Sequence, residues 1–284
     1  MSREASSAEN KVGSSELTDD GNVEGTPLPG TITFLGAPMH PWTMSETIER
    51  IEARILENRF TQHVVVNVAK LVNMQDDEEL RSAVTGCHII NIDGAGVVWG
   101  ARALGHEVPE RVAGIDLFVE LLGLAVQRGH GVYFLGADDQ VIEETVRVAR
   151  SQNPGLQVAG WHHGYYWREE GGEARVVEAI RRSGASMLFV GMSSPRKEKF
   201  IAEHQESLSV PFVMGVGGSF DVLAGRVQRA PRWMQRAGLE WFYRLVQEPR
   251  RMWRRYLTTN SRYGLLLLSS KARGTGVSAG RGRE

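Results

Sequence analysis

The chain is 284 residues long, 42% hydrophobic and 24% charged, with a formal net charge of −1. That is enough apolar material for one large α/β domain or two small ones, and the near-neutral total excludes a globally basic nucleic-acid binder. The single cysteine, Cys87, excludes an intramolecular disulfide and fits a reducing cytoplasm.

Residues 1–30 are rich in Ser, Gly, Asp and Glu and lack an apolar stretch, which predicts a disordered leader and not a signal peptide. From Thr31 onward, short apolar runs alternate with helical patterns. Strands are predicted at 32–36 ("ITFLG"), 63–68 ("HVVVNV"), 88–92 ("HIINI"), 131–137 ("GVYFLGA"), 156–161 ("LQVAGW"), 187–192 ("MLFVGM") and 211–217 ("PFVMGVG"). Helices are predicted over 43–58, 76–85, 94–104, 114–128, 138–151, 171–183 and 195–207. Several strands are Val/Ile/Phe-rich with little alternation, as strands buried on both faces should be. The pattern predicts right-handed βαβ units, hence an α/β fold with a Rossmann-like, mainly parallel sheet flanked by helices. This core is assigned to 31–225, a C-terminal amphipathic helical appendage to 226–264 and a flexible tail to 265–284. No apolar run reaches the ~18 residues of a membrane span; "LLLL", from Leu265 to Leu268, is far too short.

In such sheets ligands bind beyond the carboxyl ends of the strands. The residues there are Asn67, Asp93, Gly136 to Asp138, Gly191 to Pro195, and Gly215 to Asp221. A carboxylate such as Asp93 can serve as a general base on a hydroxyl. Asp-Gly after a strand is also ordinary turn or N-cap chemistry. "GADDQV" lacks the spacing of a dinucleotide fingerprint, and Asp138 reads as a helix cap. The pair Gly217-Gly218 lets backbone approach a ligand, or simply supplies a tight turn; no Gly-Lys-Ser/Thr follows it, so it is not a phosphate loop of the Walker type. No Asp-x-Asp triplet or metal-ligand spacing of histidines occurs, so neither a metal nor another cofactor is expected.

The appendage carries the charge asymmetry. Between Arg226 and Arg262 there are ten arginines against two acids, Glu240 and Glu248, which points to an anionic partner. Past Pro249, helical spacing puts Met252, Trp253, Tyr256 and Leu257 on one face and Arg250, Arg251, Arg254 and Arg255 on the other. That suits an anionic membrane surface, or an amphipathic helix packed on its own domain.

Taken in order, several stretches resemble the WecG/TagA/CpsF glycosyltransferase family from about Thr31 to Tyr263. They are the Asp93-Gly94 pair, "ERVAGIDL", "PGLQVAGWHHGYY", "VGMSSPRKEKF", "GVGGSFDVLAGRVQRAPRW" and "GLEWFYRLVQEPRR". The resemblance implies inverting transfer of an N-acetylmannosamine-type sugar from a UDP donor to a polyprenyl-diphosphate-linked sugar, peripherally at the cytoplasmic membrane face. Carried over by motif, Asp93 is the catalytic base, Arg111 engages the donor diphosphate and Asn67 lines the site. Arg244, Arg251 and Arg254 belong to an appendage that closes over the site and touches the membrane. Gly217, Gly218, Asp221 and Lys197 complete the substrate-binding set. Two positions depart from the family pattern: Val65 stands where a threonine is usual, and Lys197 where a glutamine is usual. A lysine there would favour an acidic sugar or an added phosphate contact. A nucleotide-dependent oxidoreductase or epimerase is the competing enzyme reading, but "FLGAPMH" after the first strand lacks its Gly-x-Gly-x-x-Gly. A non-catalytic membrane scaffold explains the arginine-aromatic helix but not the polar strand ends. No nucleic-acid partner is expected, and a homo-oligomer is left open.

Overall fold

A computed structural model of the chain describes residue 28 and residues 30–273, with the side chains of all but Arg251 and Arg255. Nearly all of the expected leader, and residues 274–284 of the expected tail, lie outside the described residues. In chain order the elements are β1 (Ile32–Phe34), β2 (Ala37–Met39), α1 (Met44–Leu56), β3 (Thr61–Val66), α2 (Val68–Asn73), α3 (Glu78–Thr85), β4 (Ile89–Ile92), α4 (Ala95–Ala103) and α5 (Gly114–Arg128). There follow β5 (Val132–Gly136), α6 (Asp139–Gln152), β6 (Val158–His162), α7 (Gly172–Ser183), β7 (Met187–Gly191), α8 (Arg196–Leu208), β8 (Phe212–Gly215) and α9 (Ser219–Leu223). Last come α10 (Arg232–Arg236), α11 (Glu240–Gln247) and α12 (Pro249–Ala272).

Six strands form one parallel sheet in the order β4-β3-β8-β7-β5-β6. Strands β5, β7 and β8 are apolar throughout because both faces are covered. Along β7, Met187 and Phe189 point to one face and Leu188 and Val190 to the other, as the two-residue period requires. The first face, with Phe134, Phe212 and Met214, packs under α1, α5, α6 and α9. The second is divided: Val64, Val66, Ile90 and Ile92 lie under α2, α3 and α4, and Tyr133, Leu135 and Val213 under α7 and α8. Helix starts follow their capping residues. Thr43 and Glu46 form a reciprocal capping box on α1, and Asn67, Asp77 and Asp138 cap α2, α3 and α6.

Two elements differ from the sequence reading. The run at 32–36 does not join the parallel sheet. It turns at Leu35-Gly36, both at positive φ (50° and 80°), and pairs antiparallel with β2. His40 then bridges to Asn91, so the hairpin covers the outer edge of β4, which would otherwise expose unpaired backbone. The second correction concerns the tail. Residues 265–272, expected to be flexible, are the last turns of α12. They are held because Tyr263, Leu266 and Leu267 pack on the core beneath α4. Gly100 allows this approach: a Cβ there would sit 2.1 Å from the Tyr263 hydroxyl, which donates to the Gly96 carbonyl at 2.9 Å. Among the described residues, no helix is long and apolar enough to cross a membrane.

Candidate active site

Asp93 follows β4 directly, and its N–H donates to the Val66 carbonyl of β3 at 2.9 Å. The following Gly94 has φ 95° and ψ 131°, a backbone setting that glycine reaches without strain and other residues do not. This lets the chain leave the strand at once and start α4, leaving the carboxylate at the strand end with its side chain 25% exposed. Asn67 stands beside it on the neighbouring strand end, its Cβ 3.9 Å from where a Gly94 Cβ would lie. Its Oδ1 accepts the Lys70 N–H at 3.0 Å. Burial pushes the Asp93 carboxyl above its ordinary pKa. Arg111 opposes that shift, Glu240 adds to it, and the Gly114 N–H and Arg244 oppose it.

Arg111 reaches this point because the next residue extends β4: the Val112 N–H donates to the Ile92 carbonyl at 3.0 Å. Its Nη1 lies 3.9 Å from Asp93 Oδ1 and 2.5 Å from Glu240 Oε2. Glu240 is the first residue of α11, so the appendage enters the site through a carboxylate. Its other oxygen accepts Arg229 Nε at 3.1 Å. Arg229 in turn grips Asp116 with both terminal nitrogens, Nη2 to Oδ2 at 2.8 Å and Nη1 to Oδ1. Asp93, Arg111, Glu240, Arg229 and Asp116 thus form a continuous chain of charges from strand end to appendage. Sequence reasoning missed Glu240, Arg229 and Asp116 as site residues. The one available signal was that Glu240 is one of two acids among ten arginines.

The remaining candidates divide. Arg244, on α11, is exposed yet faces Asp93. Gly217 has φ 53°, the left-handed turn that follows β8, and Gly218 stands beside the Asp221 carboxylate, 3.8 Å from a virtual Cβ. Arg254 lies over the Trp253 ring at 5.3 Å and points outward with it. The Arg251 side chain lies outside the described residues. Lys197 is not brought to the site surface: it is 7% exposed, its stem lies against Gly215, and its ammonium sits 2.9 Å from Glu198 Oε1. Lys70 approaches the same oxygen at 3.4 Å, and Glu198 Oε2 has no partner among the described residues. Val65, the other departure from the family pattern, packs against the start of α5, where a Cβ on Gly114 would come within 3.1 Å of it.

The expected stripe on α12 is also split. Met252 is buried and Tyr256 meets Trp241 edge-on, while Trp253 and Leu257 face out at 48% and 61% exposure. An open cleft of about 430 Å³ lies at the ends of β5 and β6, lined by Asp138, Asp139, His163, Tyr165, Arg168 and Glu169. Three carboxylates make it a poor seat for a diphosphate, so the arginine side of the sheet is the better one. Among the described residues, the one grouping with metal-type donors is Glu173, Glu203 and His204 on α7 and α8. It shares no residue with the strand-end group.

The site is thus a carboxylate and an arginine side by side at the carboxyl end of β4, where parallel doubly covered sheets bind ligands. Comparison with known proteins makes the class specific. The model of the glycosyl transferase WecG/TagA/CpsF family matches residues 32–276. Two relatives are named N-acetylglucosaminyldiphosphoundecaprenol N-acetyl-beta-D-mannosaminyltransferase. That of Bacillus subtilis (strain 168) is 34% identical over 222 residues, covering 76% of this chain and 84% of the relative. That of Bacillus spizizenii (strain ATCC 23059 / NRRL B-14472 / W23) is 39% identical over 166 residues, covering 58% and 63%. The chain belongs to the WecG/TagA/CpsF family and is a glycosyltransferase.

Proposed function

We infer that the enzyme moves an N-acetylmannosamine-type sugar from a UDP donor to a sugar carried on a polyprenyl diphosphate, with inversion at the anomeric carbon. The observation that carries this reading is Asp93 at the end of β4 with the Arg111 guanidinium 3.9 Å away. Asp93 takes the proton of the acceptor hydroxyl as that oxygen attacks the anomeric carbon. The bond from that carbon to the diphosphate breaks, and UDP departs with the electron pair. Arg111 and Arg244 offset the charge that develops on it, a task positioned cations perform without a metal. Burial raises the Asp93 pKa, which makes it a stronger base than a solvated carboxylate. The relatives' names give the sugar and the lipid-linked acceptor for those proteins, and the shared family extends the reading to this one.

The same reading puts the enzyme peripherally on the inner face of the cell membrane, where such an acceptor resides. Its support is the exposed apolar set on α10, α11 and α12, which includes Trp233, Trp241, Phe242, Val246, Trp253 and Leu257. The exposed Arg232, Arg236, Arg250 and Arg254 accompany it. Arginines near an anionic surface contribute about 1 kcal/mol each.

The test is a donor screen with membrane lipid extracts, following UDP release and product mass, in EDTA and with added Mg²⁺ or Mn²⁺. Release of UDP with one added hexosamine on a lipid diphosphate, undiminished by EDTA, is the expected result. Asp93→Asn should lower turnover by roughly 10²–10⁴ with donor binding little changed. Near-wild-type turnover of that variant removes Asp93 from the role, and loss in EDTA restored by metal overturns the metal-free mechanism.

A further inference from the structure

We propose that Glu240 is a positioning residue for sugar transfer: presented by the appendage, it holds the Arg111 guanidinium beside Asp93 and completes the reactive group only when α11 is docked. This rests on the reading of Asp93 as the base.

The geometry is specific. Glu240 Oε2 is 2.5 Å from Arg111 Nη1, the same nitrogen that lies 3.9 Å from Asp93 Oδ1. Glu240 Oε1 is held at 3.1 Å by Arg229, and Arg229 is clamped by Asp116 at the start of α5. The carboxylate is therefore fixed from both sides, one side being the core domain. Its side chain is 19% exposed and that of Arg111 is 20% exposed, so the contact is shielded from bulk water and weakly screened. Among the described residues, Arg111 shows no hydrogen bond from Nε or Nη2, which leaves that edge of the fork for a diphosphate.

The charges facing Asp93 are Arg111 from the loop before α5, the Gly114 N–H at the head of α5, and Glu240 and Arg244 from α11. Those facing Glu240 are Arg111 and Arg229, with Asp116 behind the latter. Within this set, Glu240 partly neutralises Arg111 and repels the Asp93 carboxylate, so it strengthens the base. Its removal would leave Arg111 free to pair with Asp93 and weaken it. Docking of the appendage and basicity of Asp93 are then one event.

The experiment uses the full-length enzyme. Glu240→Gln keeps size and hydrogen bonding but drops the charge. kcat should fall about tenfold or more, and the acidic limb of the kcat–pH profile should move to lower pH by about half a unit or more. UDP affinity should change less than about threefold, and Glu240→Asp should return the limb toward its wild-type position. Wild-type kcat with an unmoved limb overturns the proposal. So does a fall in kcat with the limb unmoved, which would mark Glu240 as a mere clasp. Asp93→Asn separates the two claims. If it abolishes turnover while Glu240→Gln leaves the limb in place, only the Glu240 inference fails. If Asp93→Asn turns over normally, the base assignment itself has failed.

Discussion

Lys197 is where the residue-scale reading changes most. By its place in the family motif it was a candidate for sugar choice, yet its ammonium is turned inward onto Glu198. Burial pushes the Glu198 carboxyl up, but Lys197 and Lys70 outweigh that and hold it below the usual carboxylate range. Lys197→Gln removes the nearer of two cations from a carboxylate that is 2% exposed. The expected effect is a loss of about 1–3 kcal/mol in unfolding free energy, measured by denaturant titration. A variant as stable as wild type, with altered ratios of rate across UDP-sugars, would instead restore the specificity role. Asp93 shows the opposite relation between sequence and structure. Turn and base were alternatives for the Asp-Gly pair, and the geometry shows that they do not compete: Gly94 makes the turn, and the turn presents the carboxylate at the strand end.

At the scale of elements, the sheet was legible because strands buried on both faces are apolar along most of their length, as β5, β7 and β8 are. β2 was not: three residues including Pro38 carry too little pattern. α2 was hidden because Val68 continues the apolar run of β3, and only the Asn67 cap separates them. The appendage was legible as amphipathic but not in its division of labour. Periodicity groups Met252 with Trp253, whereas the fold buries the first and leaves the second out. That division sharpens the membrane test. Trp233→Ser with Trp253→Ser changes side chains 65% and 48% exposed, so the fold should keep its melting temperature within a degree or two. Sedimentation with vesicles rich in phosphatidylglycerol should fall at least about tenfold. Undiminished sedimentation would show that these aromatics do not meet lipid.

For the whole molecule, the contacts that build the site join distant parts of the chain. Glu240 meets Arg111 across 129 positions, and no local period encodes such a pairing. The folded core also sets a pH limit. Burial pushes His40, His63 and His88 down to about 4, against about 6.5 in an unfolded chain. Between those values the unfolded state binds more protons, so stability is fully present above pH ~6.5 and is lost as pH falls toward 4. A wholly buried histidine such as His63, bonded to Asn91 at 2.9 Å, contributes up to about 3 kcal/mol to that loss. The carboxylates Glu198 and Glu240 are held below their ordinary range, so their contribution is lost only at lower pH. The denaturant midpoint should therefore be clearly lower at pH 5 than at pH 7.5. Equal midpoints would mean that these histidines protonate without unfolding.

α12 has a mechanical consequence. It is pinned at Tyr263, past its middle, where the hydroxyl bonds to Gly96, and its near end joins α11. The helix from Pro249 to Tyr263 is a rigid arm of roughly 21 Å, so a tilt of about 10° about the pin carries α11 through about 4 Å. That travel exceeds the length of the Arg111–Glu240 bond. A rocking of that size would break the Arg111–Glu240 ion pair beside Asp93 with no unfolding of either helix.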